Sequence, residues 1–538
     1  MLNYTKISAI ILLITGSLCN CFAQQQPPHL KKQGTATQLI VDGKPYLVLG
    51  GELHNSTSAS LDYMAPVLAK FSAWHLNTAL AAVCWDLIEP QEGRFDFSLV
   101  DGLIRQARRN NLRLGILWFG SWKNGVSTYP PAWVKTNLKR FPRAQNKDGG
   151  SLDILSTFNE ANVNADAKAF ATLMKHIKEV DDAHTVIMVQ VENEVGVLGD
   201  SRDRSALANE AFKRPVPKEL INYLEKNKTN LMPGFAKKWE AGGFKTSGSW
   251  EDIFGASAST DEMFMAWSYA RYVGKVATAG KAEYPLPMFV NTWMAEWRET
   301  AQAKPGSYPS GGPMPYVMDI WKAGAPSIDI LSPDIYSNFE ERNDLYHRPD
   351  NPLFIPEVVR EAKTTAAIFY ALGHHDAIGF SPFGMESLPD FSADLGVSYA
   401  AIAKIAPQVL AHQGKGVING AFLSKDNPKQ TIKVGDYDLV LGIAKHYSFP
   451  TPEFPAGIFI QTGPDEYLVC GRGLTINFKP NTPGDPRVGI LQVEDGTFEN
   501  GSWVAGRRLN GDEILSGGGL RLRGDYYMFQ KIKMYRYK

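Results

Sequence analysis

Residues 76–120 read LNTALAAVCWDLIEPQEGRFDFSLVDGLIRQARRNNLRLGILWFG. The two ends, 76–85 and 112–120, are continuous apolar runs, the pattern of strands buried on both faces rather than of a half-exposed sheet. Between them Ser98 is placed to cap a helix in which Leu99, Val100, Leu103, Ile104 and Ala107 recur at helical spacing. Strand, helix and strand in that order describe a crossover between parallel strands, so the segment predicts an α/β fold with helices outside a buried sheet.

The alternation extends in both directions. Upstream, QLIVDGKPYLVLGG (38–51) is a hairpin turning at Asp42-Gly43, and its second arm supplies the first buried strand. Downstream, a helix with Ala167, Phe170, Leu173, Met174, Ile177 and Val180 on one face leads into TVIMVQVENE (185–194). Four more strand candidates follow, PMFVNTW (287–293), IDILSPDIY (328–336), PLFIPEV (352–358) and AIGFSPFG (377–384). Eight strands joined by helices predict a (β/α)8 TIM barrel whose longest insertion runs from about 196 to 285. A doubly wound sheet is the rival architecture, but no Gly-rich phosphate turn follows the first strand. After SYAAIAKIAPQVLAHQ (398–413) the texture changes to short strands broken by Gly, Asp and Pro, which predicts a C-terminal β-sandwich domain.

Lys plus Arg and Asp plus Glu are equal at 56 each, which gives no general attraction to nucleic acid or to an anionic membrane surface. The first residues read as a signal peptide: Lys6, the apolar run ISAIILLITGSL, and small residues ending at Ala23. The expected division is a signal peptide over 1–23, a catalytic barrel with its hairpin over 24–414, and a sandwich over 415–538. Export to the periplasm or medium is favoured over lipid anchoring at Cys19 or Cys21, whose neighbours Leu18 and Asn20 suit that processing poorly. No later run is long and apolar enough to span a membrane as a helix. Cleavage would leave Cys84 and Cys470, too far apart in sequence to form a disulfide framework, and no Cys/His group has zinc spacing, so neither metal nor cofactor is expected.

In a barrel the reacting groups stand where strands end. Glu194 closes the fourth strand and Glu357 the seventh, in FIPEVVR. One such glutamate would ordinarily pair with a cation such as Arg360. Two, each ending an otherwise apolar strand, fit the acid and nucleophile of a retaining glycosidase. Strand alternation points Glu192 and Glu194 to the same face, so geometry alone does not choose between them.

The motif QVENEVG (190–196) resembles the Gln-x-Glu-Asn-Glu-Tyr-Gly acid/base motif of glycoside hydrolase family 35 β-galactosidases. The resemblance continues through GGELH (50–54), NTALAAVCWDLIEPQEGRFDF (77–97) and LWFGSWKNGVSTYPPAWV (117–134). It implies that Glu194 is the proton donor, Glu357 the nucleophile, Asn193 a partner of the sugar 2-hydroxyl, and Glu192 a buried hydrogen-bonded support. Two positions depart from the family: Ala82 replaces a common tyrosine, and Ser121 replaces a sugar-binding glutamate. Trp122, Lys123, Asn124 and Gly125 are closer to family 42 galactosidases.

Sugar rings present apolar faces to aromatic side chains, and Trp85, Trp118, Trp122, Trp293, Tyr336 and Phe383 crowd the strand ends. Trp293 and Tyr336, at predicted strand termini, are the first candidates for substrate contact, followed by His54 and Glu52, with Trp118, Trp122 and Phe383 beside them. The expected activity is an exported exo-β-galactosidase acting by double displacement on oligo- or polysaccharide side chains. The galactose caps of xyloglucan, known from similar proteins, are one candidate substrate. Another retaining β-glycosidase of the same clan and a non-catalytic carbohydrate-binding barrel are the competing readings. The oligomeric state is open, a homo-oligomer included.

Overall fold

The computed structural model describes residues 26–294, 303–445, 448–511, 513–515 and 518–538. The expected signal peptide lies outside them. Eight parallel strands close into a barrel: β1 (Val48–Glu52), β2 (Thr78–Cys84), β3 (Arg113–Lys123), β4 (Val186–Asn193), β5 (Met288–Trp293), β6 (Ile330–Ile335), β7 (Ile355–Val358) and β8 (Gly379–Pro382). They neighbour one another in chain order, and β8 pairs with β1. The barrel is filled by side chains such as Leu80, Leu117, Phe119, Ile187, Phe289 and Phe354, while the opposite strand faces pack against the helices. Burial on both faces is why these strands read as unbroken apolar runs.

The hairpin turns at Asp42 and Gly43, whose φ values of 51° and 75° belong to the left-handed region that a two-residue turn of this hand needs. Ser98 begins its helix rather than capping it. The helix spans Ser98–Arg109 after Phe97, and the Asp96 carboxylate accepts the Ser98 N–H at 2.9 Å. The expected buried face holds for Val100, Leu103, Ile104 and Ala107. The insertion between β4 and β5 forms five helices, the last and longest running from Ala258 to Glu283 along the outside of the barrel.

The last barrel helix, Pro389–His412, leads to two antiparallel sheets, one of six strands and one of five. Phe459 and Val469 from the larger sheet and Leu439 and Ile476 from the smaller share one hydrophobic cluster, so the sheets form a sandwich. The larger sheet is two-faced. Ile458, Ile460 and Cys470 alternate with the sandwich residues and join the cluster of the barrel helices. Its first strand, Ile418–Phe422, meets helix Thr364–His374 at Gly373 and Gly420, where a Cβ on Gly420 would lie 1.9 Å from the Phe369 carbonyl oxygen. Cys84 and Cys470 are buried free thiols. Among the described residues, no helix is long and apolar enough to cross a membrane.

Candidate active site

The C-terminal ends of the strands converge on one mouth. Glu52 ends β1, Lys123 ends β3, Asn193 ends β4 with Glu194 next, Trp293 ends β5, Tyr336 follows β6, and Glu357 lies in β7. Asp334 pairs in register with Trp293 on one side and Glu357 on the other.

The end of β4 does not keep strand alternation. Glu192 and Glu194 both take left-handed backbone conformations, with φ of 63° and 46°, and the two carboxyl groups enter different environments. Glu192 is fully buried behind the barrel wall, where Oε2 accepts the Trp122 N–H at 2.8 Å. Its other oxygen has no hydrogen-bond partner among the described residues and faces Asp166, so a proton held by one of the two carboxyl groups completes the pair. Asp166 accepts the Trp118 Nε1–H at 2.9 Å and the Ser121 hydroxyl at 2.5 Å. Gly120 makes room for this cluster, because a Cβ there would lie 2.6 Å from Glu192 Oε1.

This arrangement corrects two expectations of sugar contact. Trp118 packs on Phe170, and Trp122 packs on Tyr269 and Tyr272 and donates to the Leu155 carbonyl. Both are fully buried between the barrel and its helices and present no surface to a substrate. Ser121 faces the same layer, with its hydroxyl 2.7 Å from that of Tyr272.

Glu194 is fixed from the backbone side, its N–H donating to Asn291 Oδ1 at 2.9 Å, while Asn291 Nδ2 donates to Asp334 Oδ2 at 2.8 Å. One carboxylate oxygen from each of Glu194, Asp334 and Glu357 lies within 4.8 Å of the others. Asp334 Oδ1 is buried with no hydrogen-bond partner among the described residues, and its neighbour is the Glu194 carboxyl, so these two also need a proton between them. The Tyr336 hydroxyl donates to Glu357 Oε1. Arg360 donates to the Gly384 carbonyl at 2.5 Å.

Crowding acids out of water raises their pKa values. Burial, reinforced by the charge of Glu357 and opposed by Lys123, pushes Glu194 up to about 8. Burial also raises Glu357, against the pull of Lys123 and the hydrogen bond from Tyr336. Burial and then the Glu357 charge hold Glu52 and Asp334 well above the usual carboxylate range. The arrangement separates a carboxyl group able to hold a proton near neutrality from one that a cation and a phenol assist in ionising.

The mouth also receives most of the other expected contact residues. Trp293, Tyr336 and Phe383 are half-buried. His54 meets Phe383 edge-on at 5.0 Å, its ring Nε2 pairs with the Ser387 hydroxyl, and its backbone N–H donates to Glu386 at 2.9 Å. Asn193 is 1% exposed, and its Oδ1 has no hydrogen-bond partner among the described residues.

The model of glycosyl hydrolases family 35 matches residues 38–307, half of the chain, and that span includes β1 to β5 with Glu194. The chain belongs to glycosyl hydrolases family 35. A second model, a domain of unknown function (DUF5597), matches residues 395–521, from within the last barrel helix into the sandwich. The family 35 chain is similar to a β-galactosidase of Xanthomonas manihotis, 32% identical over 206 residues, which are 36% of this chain and 31% of that protein. It is also similar to β-galactosidase 14 of Arabidopsis thaliana, 29% identical over 157 residues, 26% of this chain and 17% of that protein. β-Galactosidase 8 of Oryza sativa subsp. japonica is 23% identical over 269 residues, 48% of this chain and 36% of that protein. The chain thus spans about a third or less of the length of these curated relatives.

Two residues at the mouth of this family 35 barrel, Asn291 and Asp334, carry no role in the sequence analysis, and Lys123 carries none beyond its likeness to family 42. Asn291 and Asp334 carried the same signal as the glutamates, a polar group near the end of an apolar strand. Lys123 was masked because β3 shifts register between Trp118 and Lys123, so side-chain directions cannot be counted along it.

Proposed function

We propose that the protein is a retaining β-galactosidase in which Glu194 is the acid/base and Glu357 the nucleophile. The observation that carries this reading is the closeness of the two groups, 4.8 Å or less between nearest oxygens. Retaining enzymes hold their carboxyl groups about 5–5.5 Å apart, whereas inverting ones leave roughly 6.5–9.5 Å for a water. Membership of family 35 supports the galactoside specificity.

In the first step a Glu357 oxygen attacks the anomeric carbon, the glycosidic bond breaks, and Glu194 gives its proton to the leaving oxygen. The product is a galactosyl ester of Glu357. Loss of that carboxylate's charge removes one of the forces that raise Glu194, which then takes a proton from water as the water attacks the same carbon and releases Glu357. Lys123 and Tyr336 stabilise the carboxylate form of the nucleophile before attack. Asn193, with its free Oδ1, receives the sugar 2-hydroxyl, and Trp293, Tyr336 and Phe383 border the sugar.

Action on terminal galactose, substrates such as xyloglucan side chains, and export by residues 1–23 complete the proposal. They rest on the resemblance and on the N-terminal sequence. The decisive experiment is Glu357→Ala assayed with an aryl β-galactoside. Turnover is lost, and added azide restores it with formation of the α-galactosyl azide. Full activity without azide would refute the role given to Glu357.

A further inference from the structure

Helices of this fold run antiparallel to the strands, so their C-terminal ends gather at the face of the barrel opposite Glu194 and Glu357. Three potential ligands meet there. Asp344 lies in the last turn of helix Phe339–Tyr346, His374 ends helix Thr364–His374, and His375 follows it. One carboxylate oxygen and one ring nitrogen from each histidine lie within 4.8 Å of one another.

Each imidazole is held by its Nδ1. The Asn419 amide donates to the Lys433 carbonyl, which turns its Oδ1 towards His374 Nδ1 at 3.0 Å. An amide oxygen only accepts, so the proton of His374 is on Nδ1 and the lone pair on Nε2. His375 Nδ1 faces His347 Nδ1 at 3.1 Å. The second histidine is 4% exposed, and its Nε2 has no hydrogen-bond partner among the described residues. Asp344 Oδ1 is 3.3 Å from that nitrogen but off the axis of a hydrogen bond. The nitrogen and the oxygen therefore converge on a common space instead of satisfying each other.

We propose that Asp344, His374 and His375 form a binding site for a divalent transition-metal ion, with Zn²⁺ the ion the donors suit best. Two atoms bound to one tetrahedral zinc at about 2.0–2.2 Å are about 3.3 Å apart, the separation of His375 Nε2 from Asp344 Oδ1. Two imidazoles and one carboxylate select zinc and its neighbours over magnesium or calcium. Asn419 and His347 orient the two rings through the nitrogens the metal does not use, as partners of metal-bound histidines do. Tyr370 stacks on His374 at 4.8 Å and meets His375 edge-on at 5.0 Å, which limits rotation of both. The Asp344 side chain is 62% exposed, so the remaining coordination position opens to water. A bound ion would join the helices that follow β6 and β7 and, through Asn419, the sandwich. Sequence spacing hid the site because its ligands come from two helices.

The test uses the untagged full chain, stripped with chelator and titrated with Zn²⁺ and, separately, with Co²⁺. We expect one equivalent of Zn²⁺ to bind and raise the melting temperature, Co²⁺ to give the visible absorption of a low-coordinate site, and Mg²⁺ to do neither. His374→Ala should abolish binding. Asp344→Asn, at an exposed position that tolerates the change, should weaken it about tenfold or more. All variants should keep their β-galactosidase activity, so failure here is separable from failure of the catalytic reading. Absence of a stoichiometric site in the stripped protein, or equal affinity in the parent chain, His374→Ala and Asp344→Asn, would overturn the proposal.

Discussion

Glu192 and Glu194 are two residues apart and enter different environments because each leaves the extended conformation, at φ 63° and 46°. Regular pleating would have put both into the mouth. Glu194→Gln should cut turnover by about 10²–10⁴-fold on galactosides with poor leaving groups, and far less on activated aryl galactosides, which need no proton donor. Glu192→Gln should not show that contrast, and a kinetic comparison of the two leaving-group classes decides the matter. Lys123 is the cation that lowers Glu357. In Lys123→Met the acidic limb of the kcat/KM–pH profile should move to higher pH, because Glu357 must then ionise without it; an unmoved limb would refute this role of Lys123. At this scale the sequence was legible where a charge closed an apolar run, as at Glu194 and Glu357. It was illegible where backbone irregularity re-aimed side chains: Trp118 and Trp122 turned into the helix layer and Lys123 into the mouth.

Elements were easier to read than directions. All eight barrel strands were visible as apolar runs because a parallel sheet covered on both faces leaves no polar alternation to confuse with a loop. The sandwich was visible through its turn residues. What could not be read was how elements brace one another. The segment after Glu194 is clamped to the loop after β5, with Val197 and Ser310 exchanging backbone hydrogen bonds of 2.9 Å and Gly199 donating to the Gly306 carbonyl at 2.9 Å. Contacts between segments so far apart in the chain leave no local periodicity. The junction of barrel and sandwich is similar, since Gly373 and Gly420 allow a helix and a strand to touch backbone to backbone. Gly420→Val should force them apart and destabilise the protein by about 1–3 kcal/mol or more, read as a lower denaturant midpoint. An unchanged midpoint would mean that the two surfaces are not in close contact in solution.

The whole molecule trades stability for the cluster of buried acids. The folded-state pKa of Glu194 is about 8 against an ordinary 4.5, so between these values the native state keeps a proton that the unfolded chain has released. Stability from this group is therefore complete below about 4.5 and is lost as pH rises towards 8. Glu194→Gln, neutral at every pH, should melt higher than the parent chain at pH 7, by an increment that grows from pH 5 to pH 8; a shrinking increment would contradict the sign. The cluster of Glu194, Asp334 and Glu357 belongs to the barrel, and among the described residues the sandwich meets the barrel through its helix layer. Double displacement by Glu194 and Glu357 is decided by following the hydrolysis of an aryl β-galactoside by proton NMR from the first turnovers. β-Galactose should be the first-formed anomer, with the α-anomer growing in only by mutarotation. α-Galactose as the first product would contradict it.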